Sequence, residues 1–296
     1  MREPIQTYFR LGILQWMSYP RAEEMQALKT ICEDDFFDVI ETKGYGPRNA
    51  EAAKLLDQSH LGVLYGAHPR ILGEKLNPND VNEENRQKAE QALLEMLEEA
   101  EVLHAEGIAF LSGKWESQTK EEAFSQLLKT TKTLCKKAKE KNMLVELEVF
   151  DYDVDKCSLI GPAPLAARFA GEVRKECDNF GLIVDLSHIP ITHETSAEVV
   201  HTLRPYISHF HYGNAVLTPG CDAYGDKHPR FGYPNGVNDT KELTEYLRAI
   251  RDEGFCDPQN PVILSMEVSP RPFEDEQTVV ASTKRTLLRA WAQLDE

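Results

Sequence analysis

The amino-acid sequence predicts a single closed (β/α)8 TIM barrel, an α/β fold, and three observations lead to that prediction. Short apolar segments alternate with longer amphipathic segments along the whole chain of 296 residues. There are eight such pairs, the number that a closed parallel barrel requires. No linker or low-complexity segment interrupts them, so we expect one domain spanning residues 1–296.

The predicted strands are apolar runs of six to eight residues, which is typical of strands that are buried. In chain order they are 10–16, 36–42, 61–67, 108–113, 143–150, 181–187, 208–214 and 262–268.

A predicted helix follows each strand, with apolar residues at three- and four-residue steps and Ser, Thr, Asp or Asn near several starts, as N-caps would be. A doubly wound sheet is the alternative fold. The segment LGILQWMSYPRAE after the first strand has no glycine where a dinucleotide site would need one. The predicted helices are 21–34, 49–58, 82–106, 120–141, 163–177, 196–203, 240–253 and 275–294.

The charge and the cysteines limit the classes of partner and compartment. A net charge of −16, from 33 basic and 49 acidic residues, argues against nucleic acid or an anionic membrane as a partner. Six cysteines without a C-x-x-C pair indicate reduced thiols rather than a disulfide framework. The N-terminal segment lacks the apolar run of a signal peptide, so we expect a cytoplasmic protein.

Polar side chains of metal-binding types gather at the carboxyl ends of the predicted strands, which is where such barrels place their catalytic groups. The later member of each Glu or His pair on a strand lies nearer the mouth of the barrel, because alternate residues share a face. These residues are His68, Glu146, Glu148, Asp185, His188, His209, His211 and Glu267.

A metal ion would explain why so many of these groups point towards one axis. A carboxylate flanked by apolar residues is costly to bury unless it is paired or bound to metal. Several such groups without a cation would repel one another and raise each other's pKa. Oxygen-rich ligands with one imidazole are typical of Mn²⁺, Mg²⁺ or Co²⁺ sites, whereas structural zinc sites are rich in thiols.

Four segments in this order, LEVFD, DLSH, HFHYGN and LSMEV, resemble strands 5 to 8 of the xylose-isomerase-like barrels. That family includes sugar and sugar-phosphate isomerases and epimerases and the endonuclease IV-type nucleases. The resemblance implies one divalent metal ion, with Mn²⁺ as the first choice and Mg²⁺, Co²⁺ or Zn²⁺ as alternatives. The ligands that it implies are Glu148, Asp185, His211 and Glu267.

The resemblance also implies a reaction, that of a sugar isomerase or epimerase. The metal would hold two vicinal oxygens and stabilise an enediolate as it forms. Glu148 and Glu267 would act as the acid/base pair on opposite faces of the substrate, and His188 would contact substrate oxygens as a third catalytic residue.

Two departures from the ketose epimerases keep an alternative open. Val154 stands where they have a second glutamate, and Leu217 stands where they have an arginine. The long Gly- and Pro-rich loop 213–239 is similar to that of the catalytic subunits of C-glycoside deglycosidases. Those lyases cleave the carbon–carbon bond of 3-oxo-C-glycosides and pair with a small second subunit.

Two further alternatives come from other classes of protein. The Asp226-Lys227-His228 segment resembles the Asp-x-His of endonuclease IV-type nucleases, which binds additional metal ions, but LSGKW at strand 4 lacks the histidine expected there. A catalytically inactive barrel that serves as a binding or assembly subunit predicts a broken ligand set, and here all four ligands are present.

The partner that we expect is a small-molecule sugar or glycoside, with neither nucleic acid nor membrane. We also expect a homo-oligomer, or a hetero-oligomer with a small second subunit if the lyase alternative holds. The residues predicted to bind substrate are His68, Trp16, Trp115, Asp226, His228, Arg230 and Phe231.

Overall fold

The computed structural model describes residues 3–294, and its eight strands form one closed parallel barrel in chain order, as predicted. Strand β8 closes the barrel by pairing in parallel with β1. The strands are β1 Phe9–Leu14, β2 Val39–Thr42, β3 Gly62–Gly66, β4 Gly107–Leu111, β5 Leu144–Val149, β6 Phe180–Asp185, β7 Ile207–Tyr212 and β8 Val262–Met266.

The eight predicted helices are confirmed, with ends within a few residues of the prediction. The structure has two further short helices, α1 of four residues and α4 of six. No helix within residues 3–294 is long and apolar enough to cross a membrane. Short 3-10 turns occupy Ile5–Thr7, Gly46–Arg48 and Ser117–Thr119. The α-helices are α1 Gln15–Ser18, α2 Glu24–Cys32, α3 Asn49–Ser59, α4 His68–Gly73, α5 Glu83–Val102, α6 Lys120–Glu140, α7 Ala163–Arg174, α8 Ser196–Leu203, α9 Thr240–Asp252 and α10 Glu276–Ala292.

Side-chain caps fix the starts of several helices, as the sequence predicts. Asn82 accepts a hydrogen bond from the backbone N–H of Asn85, and Asp275 accepts one from Thr278 in the same way. Thr195 and Asp239 each begin a capping box with the glutamate three residues later. These bonds satisfy backbone donors that the first turn of a helix leaves without partners.

The alternation of side chains along β5 and β7 separates an apolar shell from a polar barrel interior. Leu147, Phe210 and Tyr212 face outwards and are fully buried in the core that includes residues of the surrounding helices. Glu146 and His209 face inwards, where their side chains approach to 3.6 Å. The barrel interior therefore holds ionisable groups beside aliphatic side chains such as Ile183 and Ile263, which pair in register with His209.

The strand register brings the ends of β5 to β8 to one level. Glu148 pairs with Ile183, Asp185 with His211, and Tyr212 with Met266. A bulge between Leu182 and Ile183 adjusts β6 against β7. Side chains at the carboxyl ends of these four strands consequently meet around the mouth of the barrel.

Candidate metal centre and active site

Glu148, His211 and Glu267 form one buried group at the mouth of the barrel, which we term the central group. The potential ligand atoms of the three side chains lie within 4.8 Å of one another. His211 Nδ1 is 2.7 Å from Glu267 Oε2 and 3.6 Å from Glu148 Oε1. Three of the four predicted metal ligands are therefore brought together.

Asp185, the fourth predicted ligand, joins His188 and His228 in a neighbouring group. Its Oδ2 accepts a short hydrogen bond from the hydroxyl of Ser187 and lies 3.6 Å from His188 Nε2 and 3.7 Å from His228 Nδ1. The two groups touch, since His228 Nε2 is 3.7 Å from Glu267 Oε1.

Asp226 lies between the two histidines of this second group. Its Oδ1 is 3.1 Å from His188 Nε2 and 2.5 Å from His228 Nε2. His188 is only 1% exposed, and its Nδ1 lies 3.0 Å from the carbonyl oxygen of Val149. The imidazole of His188, which was predicted to contact substrate, therefore contacts the carboxylate of Asp226.

The central group fits a divalent metal ion. Glu148 Oε1 is buried and has no hydrogen-bond partner in the described part of the chain, although imidazole nitrogens of His188 and His211 lie 3.4 and 3.6 Å away. A buried carboxylate oxygen without a donor is costly. An ion between Glu148, His211 and Glu267 would remove that cost, and two oxygen donors with one nitrogen donor suit Mn²⁺ and Zn²⁺ alike.

The two carboxyl groups of the central group differ in their electrostatics. Burial alone would raise the pKa of Glu148, but the facing His211 and His68 hold it below its usual range. Burial raises the pKa of Glu267, and the charge of Glu148 raises it further. Neighbouring carboxyl groups whose pKa values are pushed apart are typical of acid/base pairs.

The imidazoles take the place of a cation when no metal is bound. Burial would lower the pKa of His211, but Glu41, Glu148 and Glu267 raise it well above its usual value. In the same way, Glu267 and Asp226 overcome the effect of burial and raise the pKa of His228 to about 9. Metal binding at the nitrogen of His211 must therefore release a proton.

A cavity of about 240 Å³ opens above the central group and has a polar wall and an apolar wall. A larger surface groove of about 510 Å³ lies beside α8 and α9, and none of the central-group residues is among the described residues that line it. The cavity is lined by Leu14, Trp16, Met17, His68, Pro69, Leu72, Glu148, Phe150, Lys156, Asp226, His228 and Glu267.

Four of the residues predicted to bind substrate, Trp16, His68, Asp226 and His228, line this cavity. The described residues that line it do not include Trp115, Arg230 or Phe231. Trp115 stacks on Tyr152 at 4.7 Å, and Phe231 packs on Tyr212 at 6.4 Å. The Arg230 guanidinium is 2.7 Å from Glu274, which draws it towards the loop before α10.

Three residues at the site were not predicted from the sequence. Glu41 at the end of β2 is 1% exposed and contacts His211. Phe150 packs on His188 with ring centroids 4.3 Å apart. Lys156 lies 2.8 Å from Asp155 and 3.3 Å from Asp226. Glu41 had the same signal as Glu148, a carboxylate within an apolar strand.

The loop after β5 places Lys156 over the cavity. Both carboxylate oxygens of Asp151, which is fully buried, accept hydrogen bonds from backbone N–H groups of the loop. These donors belong to Val154, Asp155 and Lys156. The loop therefore turns around one side chain, and this turn brings the Lys156 ammonium group to Asp226.

Comparison with known proteins gives a match to a family model. Residues 31–286 match the family model described as xylose isomerase-like TIM barrel. No curated protein sequence matches the chain significantly.

Solved structures share the fold over nearly the whole chain. A D-tagatose 3-epimerase-like protein is 20% identical with a TM-score of 0.72, over 97% of this chain and 98% of that one. The 3-keto-D-glucoside 4-epimerase of E. coli is 14% identical with a TM-score of 0.70, over 96% and 99%. The IolI protein, solved with a zinc atom, is 15% identical with a TM-score of 0.75, over 97% and 99%. At such identities the likeness concerns the fold alone.

Proposed function

Because the chain belongs to the xylose isomerase-like TIM barrel family, we propose that it is a divalent-metal-dependent sugar isomerase or epimerase. The observation that carries this proposal is the central group. Glu148, His211 and Glu267 meet as buried ligand types, and Glu148 and Glu267 line the cavity. The reaction is proton abstraction next to a carbonyl of the substrate.

Glu148, His211 and Glu267 would hold the metal, and we propose Asp185, which pairs with His211 in the strand register, as the fourth ligand. Mn²⁺ is the ion that we propose, because Asp185 as a fourth ligand would make the donor set three carboxylates and one imidazole. When bound, such an ion would supply a Lewis acid, which would acidify the C–H bond next to the substrate carbonyl and stabilise the negative charge that develops there.

The protein side chains move the proton. Strands β5 and β8 are three apart in the ring of eight, so Glu148 and Glu267 approach a bound sugar from different sides. We assign Glu148 as the base that removes a proton from one face and Glu267 as the acid that returns one from the other. His188 keeps the neighbouring Asp226 oriented towards the cavity.

The apolar wall positions the sugar and excludes water. Trp16 and Phe150 flank His68, with ring centroids 6.5 and 6.3 Å from it. The C–H face of a sugar packs well on such rings, and removal of water strengthens the electrostatic interactions at the reacting carbon.

A C-glycoside deglycosidase is the second candidate function. Asp226 and His228 in the loop 213–239 are both buried and line the cavity beside Glu267, where a leaving group would receive a proton. The first step, proton abstraction next to a ketone, is the same. The lyase would act on 3-oxo-C-glycosides and would need a small second subunit. A nuclease fits less well, since the described residues that line the cavity include the carboxylates of Glu148, Asp226 and Glu267, and Lys156 is the one lysine or arginine among them.

The proposed function is tested by metal analysis and deuterium exchange on one preparation. We expect one equivalent of a divalent metal per chain after reconstitution with Mn²⁺. In D₂O we expect deuterium to enter a substrate drawn from ketoses, ketose phosphates and 3-oxo-glycosides, and the product separates epimerase from lyase. A protein that binds no metal, or that binds metal and exchanges none of these compounds, contradicts the proposal.

Replacing Gly66 with alanine is expected to displace Trp16 and to lower kcat/KM by about 10- to 100-fold. A Cβ atom at residue 66 would lie 2.2 Å from Cη2 and 2.8 Å from Cζ3 of the Trp16 indole, which is too close for either to stay in place. The effect should appear mainly in KM, because the central group is untouched. Steady-state kinetics at saturating Mn²⁺ measure it.

Gly73→Ala is the matched control, since a Cβ atom there meets nothing within 4 Å. This variant should keep wild-type kcat and KM. Wild-type kinetics in the Gly66→Ala enzyme would mean that Trp16 does not contact the substrate.

A further inference from the structure

We propose that Glu41 is a positioning residue that holds the imidazole of His211 with Nδ1 towards the metal centre. The proposal rests on the proposed function, because it assigns Glu41 a role in metal binding. Glu41 acts through His211 and touches neither the substrate nor the ion.

Glu41 reaches His211 from the opposite side of the barrel. It lies at the carboxyl end of β2, three strands from β7 in the closed ring. Its Oε1 is 3.1 Å from His211 Nε2 and 3.2 Å from His209 Nε2. Its side chain is 1% exposed, so the two imidazoles rather than water surround this oxygen.

The position of Glu41 decides which nitrogen of His211 can bind a metal. A ring nitrogen that faces a carboxylate at hydrogen-bond distance carries a hydrogen, and without a metal both nitrogens of His211 do so, Nε2 towards Glu41 and Nδ1 towards Glu267. Metal binding takes the hydrogen from one nitrogen, and Glu41 keeps the hydrogen on Nε2, so that the lone pair is on Nδ1. That atom lies 2.7 Å from Glu267 and 3.6 Å from Glu148, within the central group. Carboxylates that orient metal-bound histidines in this way also raise the basicity of the ligand.

Glu146 offers a comparison within the same barrel interior. It is also 1% exposed and inward-facing, but it accepts a hydrogen bond from the hydroxyl of Ser208 at 2.6 Å and lies 3.6 Å from His209 Nδ1. Its contacts with the described residues include no member of the central group. A purely structural need for interior carboxylates would apply to Glu41 and Glu146 alike, whereas a role in orienting His211 applies to Glu41 alone.

The test compares Mn²⁺ affinity in wild type, Glu41→Gln, Glu41→Asp and Glu146→Gln by competition with a chelator at fixed pH. Glutamine preserves the volume but removes the charge that favours a hydrogen on Nε2. We expect Mn²⁺ to bind about 10- to 100-fold more weakly to Glu41→Gln. Glu41→Asp should recover part of the loss, and Glu146→Gln should match wild type. Melting of the metal-free proteins shows which variants are folded.

The outcomes separate this inference from the proposed function. Wild type that binds no Mn²⁺ ends the proposed function, and the positioning role with it. Wild type that binds Mn²⁺, with Glu41→Gln equal to it or Glu146→Gln equally weakened, overturns the positioning role alone. A second equivalent of Mn²⁺ that is lost in Glu41→Gln would make Glu41 a ligand, which also overturns it. If Glu41→Gln does not fold, weaker binding in folded Glu41→Asp supports the proposal and unchanged binding overturns it.

Discussion

Replacing Glu148 with glutamine is expected to lower kcat by at least about 10³-fold in a protein that remains folded. The amide cannot accept a proton from the substrate, while its oxygen keeps the size and position of a metal ligand. Glu148 is the carboxylate that His68 approaches to 2.9 Å and His211 to 3.6 Å. Kinetics at saturating Mn²⁺ measure the loss, and deuterium exchange into the substrate should fall by the same factor.

The matched control lies two residues earlier on the same strand and the same face. Glu146→Gln removes an interior carboxylate that bonds to Ser208, not to the central group, so its kcat should stay within about threefold of wild type. If Glu148→Gln still exchanges deuterium at nearly the wild-type rate with metal bound, another group is the base. That result would reverse the assignment of the acid/base pair.

The sequence predicts the strands well because polar residues follow each apolar run. The apolar run before Asp185 predicts strand 181–187, and the strand β6 in the structure is Phe180–Asp185, two residues shorter at its carboxyl end. The helices were predictable from their periodicity and caps. The turns α1 and α4 were not, since Gln15–Ser18 and His68–Gly73 are too short to show a helical period.

The residues of the candidate site were predictable where a polar residue interrupts an apolar strand. They were less predictable where the side-chain conformation determines which group a residue contacts. Glu148, His211 and Glu267 meet as expected. Asp185 leans towards the second group because Ser187 donates both its hydroxyl and its backbone N–H to it. Glu41 was not predicted, although it too is a carboxylate within a buried strand, β2.

Loop residues were the hardest to place. Arg230 forms an ion pair with Glu274, 44 positions away, and the sequence near either residue does not predict such a contact. Trp115 finds Tyr152 in the loop after β5. An exposed loop allows an aromatic or basic side chain many partners, so its composition alone does not indicate that it contacts a substrate.

Replacing His211 with alanine is expected to abolish metal binding and to destabilise the metal-free protein by about 3–5 kcal/mol. The side chain of His211 is 1% exposed and lies among the carboxylates of Glu41, Glu148 and Glu267. Without the imidazolium, these buried charges lose their shared cation and a cavity remains. Elemental analysis and urea unfolding of chelator-treated protein measure the two effects.

The loss of unfolding free energy caused by His211→Ala should depend on pH. His211 has a pKa well above its usual 6.5 when folded, so its contribution is fully present below about 6.5 and is lost as pH rises through the folded pKa. In His211→Ala the unpaired carboxyl groups have raised pKa values and take up protons as pH falls, which stabilises the folded state. The gap in unfolding free energy between wild type and variant should therefore narrow from pH 6.5 to pH 5.

The variant His209→Ala is the control for His211→Ala, because it removes a neighbouring imidazole that is not a proposed metal ligand. His209 lies two residues earlier on β7 and contacts Ser265 at 2.9 Å and Glu41 at 3.2 Å, while the described contacts of its ring reach neither Glu148 nor Glu267. This variant should lose stability yet keep one equivalent of metal, because His211 still presents Nδ1 to the central group. Retention of metal by His211→Ala would remove His211 from the ligand set. Loss of metal from both variants would show that binding depends on the whole interior network rather than on the nitrogen of one histidine.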